Sequence, residues 1–78
     1  MNKPTRYYRE RNGDYMSLSG EMNQDGTLEA RASAIQGLPS SVCTTGVEAR
    51  FVVRCDEVTR EEVPAEWLAR LYWEGDES

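Results

Sequence analysis

The chain has 78 residues and a formal net charge of −5 at pH 7. Its fractions of hydrophobic residues, 38%, and of charged residues, 29%, are ordinary for a soluble globular protein rather than a disordered one. No apolar run approaches the roughly 20 residues of a membrane span, and the N-terminal stretch MNKPTRYYRERNG has no apolar signal core, which predicts a cytoplasmic protein without membrane contact. The chain contains no histidine, the commonest general base and the usual partner of a Ser or Cys nucleophile, so we predict a protein that is not an enzyme and holds no metal or cofactor.

The N-terminal third predicts a β-hairpin. In TRYYRERNGDYMSLSGEM, Asn12-Gly13 separates two stretches that can extend, and both residues tolerate the positive φ of a type I′ turn. The second arm alternates apolar and polar positions as a two-faced strand does, and its apolar set is Met16, Leu18, Gly20 and Met22. Gly20, in the middle of this arm, predicts a β-bulge.

Residues 27–36 fit two structures. A tight turn at Asp25-Gly26 precedes them. As a strand, the segment has one face formed by Leu28, Ala30, Ala32 and Ala34. As a helix, which alanine favours by propensity, it would end at Gly37. The strict alternation after a hairpin turn favours the strand, and the helix stays the alternative.

The middle of the chain predicts a loop followed by a strand. Residues 37–46, GLPSSVCTTG, are rich in Gly, Pro, Ser and Thr and show no period, which is typical of a loop. Residues 47–55, VEARFVVRC, alternate apolar with polar residues and are rich in β-branched side chains, so we predict a strand there. Cys55 would lie on its apolar face as a buried, reduced thiol. Pairing with Cys43 would need a Cα separation below about 7 Å, which the sequence leaves open.

The C-terminal third predicts a short helix. Thr59 and Glu62 have the spacing of a capping box, but Pro64 would then lie inside the helix. We therefore predict a tight turn over residues 59–62 and a helix that has Pro64 in its first turn and ends before Gly75. Its apolar face is formed by Pro64, Trp67, Leu68, Leu71 and Tyr72.

Together these elements predict an α+β fold. We expect residues 1–78 to form a single domain, in which about four antiparallel strands form a meander and one C-terminal α-helix packs on the apolar face of the sheet. A chain of this length buries only about 60% of the surface that its unfolded form exposes, so its core must be thin.

The charges are unevenly distributed along the chain. Residues 1–13 hold four bases and one acid, residues 14–55 hold five acids and three bases, and residues 56–78 hold eight acids and two bases. A basic front that also carries tyrosines, together with a strongly acidic end, indicates that partners are recognised electrostatically.

The acidic end is the first candidate binding surface. Carboxylates arrayed on a helix or loop can occupy a groove lined by Arg and Lys, and they raise association rates by steering. An aromatic side chain ringed by polar groups would anchor such a contact. The candidate partner-binding residues are Glu57, Glu61, Glu62, Glu66, Tyr72, Trp73, Glu74 and Asp76. The alternative is a solvated face that keeps a small protein soluble.

Trp73 lies off the apolar stripe of the predicted helix. At 100° per residue its neighbours are Glu66 and Arg70, which places the indole on the solvent side. An exposed tryptophan in that position would be a binding hot spot. The alternative is that the helix ends early and Trp73 folds back onto the edge of the sheet.

The basic front is the second candidate surface. Arginine neutralises phosphate and tyrosine can stack on a base, so the candidate nucleic-acid-binding residues are Arg6, Tyr7, Tyr8, Arg9 and Arg11. The alternative is a strand whose arginines pair with the protein's own carboxylates and whose tyrosines are half-buried. The sequence pI near 4.6 argues against direct binding of nucleic acid.

In its size, acidity, lack of catalytic motifs and sheet-plus-helix plan, the chain resembles the small anti-defence proteins of phages and mobile elements, anti-CRISPR proteins among them. The resemblance implies a non-enzymatic inhibitor that binds and blocks a nucleic-acid-handling defence complex, which would be a protein or ribonucleoprotein with a basic surface. It involves no alignable motif, so it assigns no role to any residue. Two alternatives remain: a nucleic-acid-binding regulatory module that uses the basic front, and a homodimeric structural protein joined through a sheet edge and Trp73.

Overall fold

The computed structural model describes residues 5–73, which form a five-stranded sheet and two α-helices. The strands are β1 (Arg6–Arg9), β2 (Tyr15–Met22), β3 (Leu28–Ser33), β4 (Val42–Val47) and β5 (Asp56–Val58). The helices are α1 (Ala49–Val52) and α2 (Ala65–Leu71), and 3₁₀ turns span Pro39–Ser41 and Arg60–Glu62. Neighbouring strands are antiparallel, in the order β4-β3-β2-β1-β5. The α+β class, the antiparallel sheet and the C-terminal helix are confirmed, with five strands in place of the predicted four.

The two hairpins that join β1, β2 and β3 have turns of the same geometry. In the first, the Gly13 N–H donates to the Glu10 carbonyl at 2.9 Å; in the second, the Gly26 N–H donates to the Asn23 carbonyl at 3.1 Å. Both glycines have positive φ, and no other residue type does so in the described part of the chain. The predicted hairpin at Asn12-Gly13 is confirmed, but its turn is not type I′, which needs two consecutive residues with positive φ.

The strand prediction for residues 27–36 is confirmed over Leu28–Ser33. The register of β2 with β3 shifts between Leu18 and Met22, and Gly20 between them has φ +84°. This is the predicted β-bulge, which glycine permits because it has no Cβ to clash at positive φ.

The strand predicted over residues 47–55 is wrong. β4 ends at Val47, and the next residues form α1, where the Phe51 N–H donates to the Glu48 carbonyl at 2.9 Å. β4 itself occupies residues 42–47, and all of these except Val47 lie within the segment predicted to be a loop. The reason lies in the topology: β4 and β5 are at opposite edges of the sheet, so the chain after β4 must cross a face of the sheet.

This crossing segment covers the sheet face that carries a buried cluster of Tyr8, Met16, Leu18 and Ala30. We call this face of the sheet the α1 face. Val52 of α1 and Cys55 pack against the cluster. Cys55 was predicted to be buried on a strand, whereas it is half-buried against the core and lies in a turn after α1.

The helix α2 packs on the opposite face, which we call the α2 face. Its cluster contains Tyr7 with Val63, Trp67 and Leu71. The Tyr15 ring lies 5.8 Å from the Trp67 ring, centroid to centroid. The prediction that the helix covers the methionine-and-leucine face is wrong, because that face is already filled by the α1 crossing. The tyrosines of the opposite face supply the apolar area that α2 buries instead.

The start of α2 matches the sequence-based prediction. Residues Arg60–Glu62 form the expected tight turn, and Pro64 is the N-cap residue just before Ala65. Proline fits there because an N–H at the start of a helix has no acceptor within the helix, so none is lost. The fixed φ of proline also suits a helix start.

One buried aspartate ties the β1–β2 turn to the β3–β4 connection. Asp14 is 4% exposed, and its Oδ1 accepts the Gly37 N–H at 2.7 Å. Replacing Asp14 with alanine leaves that N–H without its acceptor, so we expect the free energy of unfolding to fall by about 1–3 kcal/mol in urea titrations.

The matched control for this prediction is Asp25→Ala. Asp25 accepts the Thr27 N–H at 3.0 Å in the β2–β3 turn, but it is exposed and water can replace it. Its loss should therefore lower the stability clearly less than the loss of Asp14 does. Equal losses in the two variants would contradict the role given to the burial of Asp14.

Candidate interaction surface

Trp73 is buried, and the expectation that it lies on the solvent side of the helix is wrong. The helix α2 ends at Leu71, and the Trp73 side chain is 9% exposed. The guanidinium carbon of Arg31, on β3, lies 4.7 Å from the centroid of the Trp73 ring. The alternative from the sequence, an early helix end and an indole that folds back, is the one observed, although the indole lies against β3, an inner strand, and not at the sheet edge.

Two residues of the sheet hold the end of α2 in place. The Ser17 hydroxyl is fully buried and donates to the Leu71 carbonyl at 2.7 Å. Arg31 Nη1 donates to the Arg70 carbonyl at 3.5 Å and also to the Tyr72 carbonyl. The last carbonyls of a helix have no partner within the helix, so these contacts satisfy them and fix where the helix ends. Sequence reasoning missed both residues, since their partners are distant in the chain.

The outer side of α2 carries an exposed apolar patch. It lies around a shallow depression of about 380 Å³ lined by Arg60, Ala65, Leu68, Ala69 and Tyr72. We call it the helix patch. Tyr72 is 39% exposed there, while Trp67 and Leu71 of the same helix turn inward. The aromatic side chain that α2 offers to solvent is therefore Tyr72 and not Trp73.

The predicted acidic residues are not all on one surface. Glu61 and Glu62 lie in the 3₁₀ turn before α2, and Glu66 lies in its first turn, all three exposed on the helix side of the molecule. Glu57 is exposed too, but it is the register partner of Tyr8 and so lies on the α1 face. Glu74 and Asp76 lie outside the described residues. Three of the eight candidate residues are thus exposed carboxylates in α2 or in the turn before it, and Tyr72 is exposed just after the helix.

One of these carboxylates already has a structural task. Glu62 accepts hydrogen bonds from the N–H and the hydroxyl of Thr59, both at 3.0 Å. The hydrogen bond from the Thr59 backbone lowers the pKa of Glu62 most, and the bond from the Thr59 hydroxyl lowers it further. Because Glu62 also shapes the turn before α2, Glu61 and Glu66 are better positions for testing charge alone.

The basic front does not present its tyrosines. Tyr7 and Tyr8 are 4% and 6% exposed, on opposite faces of the sheet, so no base can stack on either ring. Arg9 pairs with Asp56 at 3.4 Å. This agrees with the alternative interpretation, in which the arginines of this strand pair with the protein's own carboxylates. Arg6 and Arg11 are exposed. Two separated arginines, without an exposed aromatic ring on which a base could stack, are a weak basis for binding single-stranded nucleic acid.

The two cysteines are not bonded to each other. Cys43 is exposed on β4, and Cys55 is half-buried after α1. Burial, followed by the nearby charges of Glu10 and Asp56, raises the pKa of the Cys55 thiol. A thiol with a raised pKa is poorly nucleophilic at neutral pH, which suits a packing role.

The described part of the chain is thus an α+β protein in which the outer side of α2 carries an exposed apolar patch. Comparison of the chain with protein-family models, curated proteins and solved structures finds no match. Within residues 5–73 no helix is long and apolar enough to cross a bilayer. In that same range no three Cys, Asp or Glu side chains converge as metal ligands.

Proposed function

We propose that this chain is a non-enzymatic interaction protein of the cytoplasm, which binds a larger macromolecule with a basic surface and blocks its function. A nucleic-acid-handling defence complex is the partner that the resemblance to anti-CRISPR proteins implies. The docking surface in this proposal is the helix patch together with Glu61 and Glu66. The observation that carries it is that α2 and the residue after it present small apolar side chains and an aromatic ring to solvent, while Glu66 on the same helix and Glu61 in the turn before it are also exposed.

The anatomy of the helix patch supports this proposal. Tyrosine is enriched at binding hot spots because it contributes a large contact area and a hydroxyl for few rotatable bonds. Ala65 and Ala69 leave space around Tyr72 into which a partner's side chain could insert. Arg60 at the rim is held to the sheet, since its Nη1 donates to the Tyr7 hydroxyl at 3.3 Å. Part of the surface is therefore ordered before any partner binds.

The proposal is tested by photo-crosslinking from the patch. The chain carries p-benzoylphenylalanine in place of Tyr72, is expressed in its host and is irradiated. The matched control carries the same group at Gln24, which is exposed in the β2–β3 turn. We expect a single adduct from position 72 that position 24 does not give, with a contact peptide rich in Arg and Lys.

The protein found in that adduct is then purified and assayed. Wild-type chain should inhibit its activity, and Tyr72→Ala should bind at least about tenfold more weakly, as truncation of a hot spot does. Indistinguishable adducts from positions 72 and 24, or an unchanged affinity of Tyr72→Ala, would remove the helix patch from the proposal. A partner that is bound without any loss of its activity would remove the inhibitory function.

A charge reversal separates the acidic helix side from the acidic α1 face. Glu61→Lys and Glu57→Lys change the net charge equally and both positions are exposed. If carboxylates on the helix side steer association, Glu61→Lys should slow the association rate by about three- to tenfold at low salt, and Glu57→Lys should change it far less. Stopped-flow mixing with the identified partner, repeated at higher salt, makes the measurement. Equal slowing in both variants would show that net charge alone matters.

A further inference from the structure

The two edges of the sheet differ in how well they are protected. At one edge, β5 is three residues long and two of them are Asp56 and Glu57. At the other edge, β4 has six residues, VCTTGV, with no charge and no proline. Short length and charged residues discourage an edge strand from pairing with another chain, and β-branched residues favour it. The β4 edge therefore has none of the usual protection.

The hydrogen bonds to β3 identify the backbone groups that β4 leaves for another strand. The Ala34 N–H donates to the Ser41 carbonyl at 3.1 Å, while Val42 is the register partner of Ser33. In an antiparallel pair, residues that bond to the neighbour alternate with residues that point away from it. The N–H and C=O groups of Val42, Thr44 and Gly46 thus point outward from the sheet.

The charges along this edge are arranged with opposite signs at its two ends. At the end where β4 begins, Arg70 lines a cleft of about 360 Å³ together with Ser40 and Thr44. Towards the other end, Glu29 is the register partner of Gly46.

Glu48 follows Val47 at that acidic end, and its Oε1 also pairs with Arg50 of the same chain at 2.6 Å. An antiparallel copy of the same edge would place each basic end against an acidic end.

We propose that β4 pairs with β4 of a second copy of this chain, antiparallel and around a two-fold axis at Thr44. This register makes Thr44 face its own symmetry mate and Val42 face Gly46 of the second copy. Each facing pair exchanges two hydrogen bonds, so every outward group of the three residues is satisfied. The result is one continuous sheet across both copies, with an isologous interface.

The same register brings the charged ends together. Glu48 of one copy lies opposite Ser40 of the other, and Ser40 shares its cleft with Arg70. The charge arrangement is what favours a second copy over a strand from an unrelated protein, because it is self-complementary only under the antiparallel two-fold. This pairing does not depend on the proposed inhibitory function, since the helix patch and the β4 edge are tested with different residues and different readouts.

Engineered cysteines test the register directly. In a background in which Cys43→Ser and Cys55→Ser remove the native thiols, Thr44→Cys places two thiols across the two-fold axis. Facing residues of a bonded pair have Cα atoms about 5.5 Å apart, which a disulfide can span. Thr45→Cys is the control, because position 45 faces position 43 of the other copy and lies diagonally, about 7–8 Å, from its own mate.

Mild oxidation should convert most Thr44→Cys protein to a covalent dimer and little of the Thr45→Cys protein. Comparable crosslinking of both variants would refute the register. Absence of crosslinking in both, together with monomers by light scattering from about 1 µM to about 1 mM, would refute the dimer itself.

A blocking variant tests the interface without cysteine. Thr44→Pro removes an outward N–H and no β3–β4 hydrogen bond, so the fold should be retained, as circular dichroism can verify. We expect its dimer dissociation constant to rise at least about tenfold in sedimentation equilibrium, whereas Thr44→Val should leave the constant unchanged. An unaltered constant in folded Thr44→Pro would overturn the proposal, and the crosslinking pair decides it if that variant does not fold.

Discussion

Trp67→Ala is expected to lower the free energy of unfolding by about 3–5 kcal/mol, the range for deleting a large buried aromatic side chain. Trp67 is 7% exposed and lies in the cluster that joins α2 to the sheet, with its ring 5.8 Å from that of Tyr15. A domain of this size has a total stability of only about 4–12 kcal/mol. The variant should therefore lose a large share of the total stability, and its urea midpoint should fall accordingly.

The control for this prediction is Leu68→Ala, the next residue on the same helix. Leu68 is half-exposed at the margin of the cluster, and its replacement by alanine does not lower helix propensity. Its loss of stability should be about 1 kcal/mol, in proportion to the smaller apolar area that it buries. Urea titrations followed by far-ultraviolet circular dichroism measure both. Similar losses would show that the fold does not depend on the inward face of α2 as the structure indicates.

Local patterns predicted the first half of the fold because its elements follow one another as hairpins. The glycines at positions 13 and 26 and the alternation in β2 and β3 are local signals that the structure obeys. The helix start after Pro64 is local as well. In each of these places the residues that decide the conformation lie within a few positions of one another.

The pattern failed at residues 42–55 because the location of a segment in the sheet is not a local property. β4 is an edge strand with four consecutive exposed residues, from Cys43 to Gly46, so it shows no alternation. The segment after Val47 alternates, yet it must cross the α1 face to reach the other edge, and a helical turn with Val52 against the core does this. Which edge β5 joins is set by its pairing with β1, about 50 residues earlier in the chain.

The candidate residues named from the sequence are placed by the structure only in part as expected. Tyr72, Glu61 and Glu66 are exposed as the sequence suggested, in the segment that also forms the helix patch. The helix was expected to continue towards Gly75, whereas hydrogen bonds from Ser17 and Arg31 end it at Leu71. That earlier end rotates Trp73 inward and leaves Tyr72 outside. A helical wheel has no information about partners on β2 and β3.

Adjacent residues at the end of α2 are consequently expected to respond in opposite ways to truncation. Trp73→Ala removes a buried ring and the cation–π contact with Arg31, so it should lower the free energy of unfolding by about 2–4 kcal/mol. Tyr72→Ala removes a side chain that is 39% exposed, so it should change stability by less than about 1 kcal/mol. Its effect should instead be on binding of the partner identified by crosslinking.

Measuring both quantities on both variants separates a core residue from a contact residue. Urea titration gives the stability, and calorimetric titration at a temperature where both variants are folded gives the affinity. In folded Trp73→Ala the affinity should stay within about threefold of wild type, because the indole is covered by the protein itself. A stable Trp73→Ala that has lost its affinity would return Trp73 to the surface and would require α2 to end later than Leu71. Retained affinity in Tyr72→Ala would instead place the contact away from the helix patch.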